Sequence, residues 1–216
     1  METRDVEIAA AGVRLQAILS LPQAPLGLVL FAHGSGSSRF STRNQQVALV
    51  LQRGGLATVL LDLLTPREAA IDERTHEYRF DIELLARRLD GATTSVSAFF
   101  DGTPPTVGYF GASTGAAAAL IAAAVRSDIR AIVSRGGRPD LAAGALTRVR
   151  AAVLLIVGGS DPEVLRLNRS AQHQLAGESD LLVIPGATHL FEEPGTLELA
   201  AEAARDWFLR YLPGED

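Results

Sequence analysis

There is no cysteine among the 216 residues. That one absence excludes disulfide bridges, a thiol nucleophile and a thiolate metal site. No apolar run reaches the roughly 20 residues that a membrane-crossing helix needs. The amino-terminal METRDVEIAA carries charges where a signal peptide requires an apolar core, so a cytoplasmic protein is expected. The four histidines are scattered without ligand spacing, and no metal site is expected from them. Positive charge is not in excess: 20 basic against 25 acidic residues give a formal net charge of −5. That balance argues against nucleic acid or an anionic membrane as a partner. Internal repeats and low-complexity linkers are also missing.

What remains is an ordinary globular composition, 47% hydrophobic and 21% charged. One domain over residues 1–216 is expected, and a chain of this length buries about 70% of its unfolded surface. Segments 6–10 and 13–21 alternate around Ala11-Gly12 and read as an antiparallel pair. Segments 27–32, 57–61, 107–110, 129–133, 152–157 and 181–184 are continuous apolar runs, the pattern of strands covered on both faces. Helical spacing falls at 45–52, 80–89, from 116 onward, 163–175 and 197–212, while 63–78 reads as polar and irregular. Strands alternating with helices predict an α/β chain, with a mostly parallel sheet and helices on both faces. Ligands of such sheets bind beyond the carboxyl ends of the strands. His33, Ser113, Arg135, Asp161 and His189 all fall just after a strand.

The stretch 106–125, TVGYFGASTGAAAALIAAAV, organises the rest. An apolar strand leads into Gly111-Ala112-Ser113-Thr114-Gly115, and an Ala-rich helix leaves it. G-x-S-x-G at a strand-to-helix turn is the setting of a nucleophile elbow. Such a turn strains the serine backbone and leaves room only for glycine two residues before and after. A serine hydroxyl near neutral pH needs a base to take its proton and a carboxylate to orient that base. His189 and Asp161, in the exit loops of the last two strands, supply them. The order Ser113, Asp161, His189 is that of the α/β-hydrolase fold. The plain alternatives are that Asp161 merely caps the helix starting at Pro162 and that His189 is an idle loop residue. Asp62, which ends a strand ahead of the elbow, is the reserve acid; His76 and His173 read as solvated surface residues. Thr114 and Ser35 are the candidate backbone N–H donors to an oxyanion. His33 is expected to anchor backbone, with a substrate contact as its alternative role.

Four segments, FAHGSGSS (31–38), GYFGASTGAAAAL (108–120), LLIVGGSDP (154–162) and VIPGATHLFEEPG (183–195), resemble the α/β-hydrolase superfamily, nearest to its small dienelactone-hydrolase-like branch. The resemblance extends over nearly the whole chain. It implies a sheet of about eight strands, a covalent acyl-enzyme and no cofactor. In some relatives a similar hydrolase domain is joined to a phosphoribosyltransferase domain, which is not expected in these residues. Dienelactone hydrolases proper carry cysteine in the elbow, whereas this chain has Ser113, so a serine esterase is expected. Only residues 134–150 stand where superfamily members often insert a cap domain, which points to an uncapped, open site for small or short-chain esters.

Arg135 and Arg138, in SRGGRPD, offer guanidinium forks to a substrate carboxylate or other anion, or else are surface arginines paired with Asp140 or solvent. The expected partner is a small-molecule ester, and the expected state a monomer or homodimer. Thioester or lactone hydrolysis would use the same triad. A dinucleotide-binding reading of Gly34-Ser35-Gly36 is weak, because Arg39 stands at the third glycine position and the helix starts late. A non-catalytic binding scaffold is the remaining rival.

Overall fold

The computed structural model describes residues 1–100 and 102–214. A charged hairpin opens the chain: β1 (Glu2–Ala10) and β2 (Val13–Leu21) pair antiparallel across Ala11-Gly12, both at positive φ. Then follow β3 (Leu28–Ala32), α1 (Thr42–Arg53), β4 (Ala57–Leu61), α2 (Pro66–Thr75) and α3 (Ile82–Ser95). The second half holds β5 (Val107–Ala112), α4 (Thr114–Ala124), β6 (Ile129–Arg135), α5 (Ala143–Leu146), β7 (Ala152–Gly158), α6 (Pro162–Gln172), β8 (Ser179–Ile184) and α7 (Thr196–Tyr211). The strands form one eight-stranded sheet in the order β1-β2-β4-β3-β5-β6-β7-β8. β2 meets β4 antiparallel, and every pairing from β4 to β8 is parallel. This is the α/β-hydrolase arrangement expected from the sequence.

Each central strand is apolar throughout because both of its faces are covered. Leu28, Leu30 and Ala32 of β3 join a core that also holds Leu85 and Leu89 of α3 and the alanines of α4. Val29 and Phe31 of the same strand point the other way, into a core with Val47 and Leu51 of α1 and Trp207 and Phe208 of α7. The period of two along the strand thus divides one apolar run between two layers of helices.

Two differences from the sequence expectation bear on the site. The segment 63–78, expected to be irregular, contains α2. Thr65 and Glu68 close a reciprocal capping box, with Pro66 in the first helical position. Strand β6 runs through Ser134 and Arg135 rather than stopping at 133, so Arg135 is a buried strand residue and not part of a loop. Between β6 and β7 stand only a 3-10 turn (Pro139–Ala142), α5 and short connections. No helix of the described residues is long and apolar enough to cross a membrane.

Candidate active site

The parallel register sets the strand ends level. Ala32 pairs with Gly111, Ala112 with Arg135, Arg135 with Ile156, and Gly158 with Ile184. His33, Ser113, Gly136, Asp161 and the loop bearing His189 therefore leave the sheet along one edge.

At the centre of that edge Ser113 has φ 50° and ψ −120°, a conformation an L-residue adopts only under constraint. Its two glycine neighbours supply that constraint. A Cβ on Gly111 would stand 2.4 Å from Ala116 Cα, and one on Gly115 would stand 2.2 Å from the Ala32 carbonyl oxygen. Strand, elbow and helix close against one another with no room for a methyl group. Ser113 N–H donates to the Arg135 carbonyl (3.2 Å), and Arg138 N–H donates to the Ser113 carbonyl (3.1 Å).

His189 Nδ1 donates to Asp161 Oδ2 at 2.8 Å. The other Asp161 oxygen, Oδ1, accepts the Val164 N–H at 3.3 Å and so caps α6. Capping and orienting, posed by the sequence as rival roles, are held by one carboxylate together. The His189 loop is tied below by Ser160 N–H to the Ala187 carbonyl (2.9 Å). Above, Glu193 accepts both the Thr188 N–H (3.0 Å) and the Thr188 hydroxyl (2.7 Å), and these bonds hold its carboxyl below the usual range. Ser113 and His189 line the same cavity of about 260 Å³. No hydrogen bond joins the Ser113 hydroxyl to the ring among the described residues; such bonds are commonly long in unliganded enzymes.

Of the candidate oxyanion donors, Thr114 follows Ser113 directly and Ser35 shares its cavity. Thr114 opens α4, where the first amides have no intrahelical partner. Ser35 lines the same cavity, and its neighbour Gly34 lies so close that an added Cβ would be 3.2 Å from Ser113 Cβ.

The remaining candidates divide. His33 is committed to backbone: Nδ1 donates to the Gly34 carbonyl (2.9 Å) and Nε2 accepts the Leu63 N–H (3.1 Å). Burial pulls its pKa below the ordinary 6.5, against the opposing influence of the Gly34 bond and Asp62. With both nitrogens engaged, the ring has no free polar atom for a substrate. Asp62, the reserve acid, is bonded to Arg39 rather than to His189. Arg138 forms a two-pronged pair with Asp140 (2.8 and 2.7 Å), which holds that carboxyl low.

Arg135 departs from the surface alternative, being neither exposed nor paired with an acid among the described residues. It is 7% exposed, lines the Ser113 cavity, and has no carboxylate within ion-pair distance among the described residues. Nη2 donates to Asn44 Oδ1 at 3.2 Å, Nη1 has no partner among the described residues, and the Phe110 and Phe191 ring centroids lie 5.8 and 5.9 Å from Cζ. Burial, and secondarily Arg43, lowers its pKa to about 10. Asn44 was not singled out from the sequence. Its only signal was a polar residue on the apolar-facing first turn of α1, where it is 2% exposed. Among the described residues, no cluster of three or more His, Asp or Glu side chains could hold a metal ion.

Fold and strand-end geometry together define an α/β-hydrolase. The structure superposes on a dienelactone hydrolase from Anabaena variabilis with a TM-score of 0.95 and 53% identity, over 98% of each chain. The chain belongs to the dienelactone-hydrolase-like family. Two further structures share the fold at lower identity. One is the esterase domain of a Rhodothermus marinus protein (TM-score 0.75, 18% identity, 98% of this chain and 99% of that one). The other is a dienelactone hydrolase-like promiscuous phosphotriesterase from metagenomic libraries (TM-score 0.78, 20% identity, 99% of each). Curated relatives from two strains of Mycobacterium tuberculosis are 54% identical over 215 residues and bear the provisional name of phosphoribosyl transferase. The chain covers 99% of its own length but 48% of theirs, so it spans about half the length of those relatives. No family model matches the chain.

Proposed function

We propose that the chain is a serine hydrolase of small or short-chain carboxylic esters, acting through an acyl-enzyme. The observation that carries the reading is the 2.8 Å His189–Asp161 bond beside a strained serine that shares its cavity with that ring. With Nδ1–H given to the carboxylate, Nε2 is the nitrogen left to take the Ser113 proton as Oγ attacks the ester carbonyl. The carbonyl oxygen gains its charge between the Thr114 and Ser35 amides. His189 then gives its proton to the leaving alcohol and afterwards activates water, which releases the acid and restores Ser113. Arg135, buried and short of a partner on the same cavity, suits a substrate that carries a carboxylate on its acyl part. The stretch aligned with the curated relatives holds these residues and makes up about half of those longer chains.

Hydrolysis of p-nitrophenyl acetate, butyrate and octanoate by the wild type and by Ser113→Ala tests it. Short esters should be cleaved, with octanoate slowest, and the variant should lose about four to six orders of magnitude in kcat. Equal, slow hydrolysis by both proteins would favour the binding scaffold. Turnover confined to thioesters or lactones would move the substrate class and keep the triad.

A further inference from the structure

We infer that Asp62 is a positioning residue for the oxyanion hole, acting through Arg39 on the loop that carries the Ser35 N–H. The inference rests on the serine-hydrolase reading above.

Between β3 and α1 the chain must cross in front of Ser113. The crossing is made by Gly34-Ser35-Gly36-Ser37-Ser38, which has little side chain to pack and turns on a single internal bond, Ser37 N–H to the Gly34 carbonyl at 3.2 Å. Open space lies on both sides of it. The Ser113 cavity is on one side; a second cavity, of about 520 Å³ and bounded by α2 and Arg79, is on the other. Gly34, Ser35 and Ser37 line both. Gly34 packs on the elbow and the Arg79 side chain approaches Gly36, but the two cavities leave the stretch between them dependent on how the loop's ends are fastened.

Both ends are fastened to the residues just after β4. At the first, His33 Nε2 accepts the Leu63 N–H. At the second, Asp62 Oδ1 accepts the Arg39 backbone N–H at 2.6 Å, and Oδ2 accepts Nη1 of the same arginine. Asp62 is itself fixed, its N–H donating to the Gln16 carbonyl at 2.9 Å, and the Arg39 guanidinium lies 4.2 Å from the Phe40 ring centroid. One carboxylate thus holds backbone and side chain of the residue where the loop ends. Release of that end lets the Ser35 amide shift relative to Ser113, and a donor displaced by about 1 Å loses most of its effect on a developing oxyanion.

The test compares the wild type with Asp62→Asn, Asp62→Ala and Arg39→Gln, using p-nitrophenyl butyrate and a short trifluoromethyl ketone. Ser113 Oγ adds to the ketone carbon, its proton passes to His189, and the former carbonyl oxygen becomes an anion in the hole. Active-site titration supplies the denominator, so loss of folded protein is not read as loss of rate. We expect kcat per titrated site to fall about tenfold in Asp62→Asn and about a hundredfold in Asp62→Ala, with KM within about twofold of wild type. Ketone affinity should fall by the same factors, and Asp62→Ala/Arg39→Gln should be no worse than Asp62→Ala alone. Wild-type kcat and ketone affinity in both Asp62 variants, whatever their thermal midpoints, would overturn the inference and leave the hydrolase reading standing. A wild type that neither hydrolyses the ester nor binds the ketone would overturn both.

Discussion

Burying a guanidinium without an acid partner opposes folding by roughly several kcal/mol even after the surroundings relax, and among the described residues Arg135 is in that position beside Ser113. The Phe110 and Phe191 faces and the Asn44 oxygen offset part of that penalty; a bound anion would offset more. Arg135→Ala should therefore raise KM for the mono-p-nitrophenyl ester of succinate by about ten- to a hundredfold while leaving the neutral butyrate ester unchanged. Equal change on both esters would make Arg135 a packing residue. The sequence singled out this arginine but placed it in a loop, because the glycines at 136 and 137 suggested that the strand had already ended. His33 gives a second prediction at this scale. Its pKa is depressed in the folded state, so the folded chain favours the neutral ring and unfolding below pH 6.5 takes up a proton. The stability it contributes is present above 6.5 and is lost as pH falls through the depressed folded value. Urea unfolding at about pH 7.5 and about pH 5 should show a larger loss for wild type than for His33→Gln. Parallel losses would mean that His33 does not set the slope.

Among the elements, α4 and β3 meet more closely than any side chain at residue 115 would permit. Gly115→Ala should lower stability by about 1–3 kcal/mol, read from the denaturant midpoint, since the Ala32 carbonyl cannot yield without moving its strand. A shift below about 0.5 kcal/mol would show that the helix start can slide. This close fit was legible in advance, because an elbow requires glycine at both flanks. The central strands were legible too, because burial on both faces makes them unbroken apolar runs. Helix α2 was not. It fully buries only Asp72, whose carboxylate accepts from Arg79 and from two backbone amides, so it lacks the apolar stripe that marks a helix in sequence. Its one signal was the T-P-R-E of its capping box. Similarly, the Thr188–Glu193 brace of the His189 loop has no periodicity that a sequence would display.

Over the whole molecule, residues separated by up to 156 positions, from His33 to His189, meet on one edge because every parallel strand points its carboxyl end the same way. That rule of architecture, rather than any local pattern, made chain order sufficient to group Ser113, Asp161 and His189. Which oxygen or nitrogen faces which partner lay beyond it, since loops fix that, and so did the engagement of Asp62 by Arg39. The two oxygens of Asp161 carry one further implication. An aspartate that stabilises α6 by about 1 kcal/mol as a cap is worth keeping for thermal reasons even where no ester is ever cleaved. If the proposed hydrolysis were lost in a descendant, there would still be cause to retain this aspartate. His189, with its side chain 39% exposed, makes no such bond to a helix end. In surveys of related genomes, the histidine is therefore the better witness of surviving chemistry, and the aspartate alone testifies only to the fold.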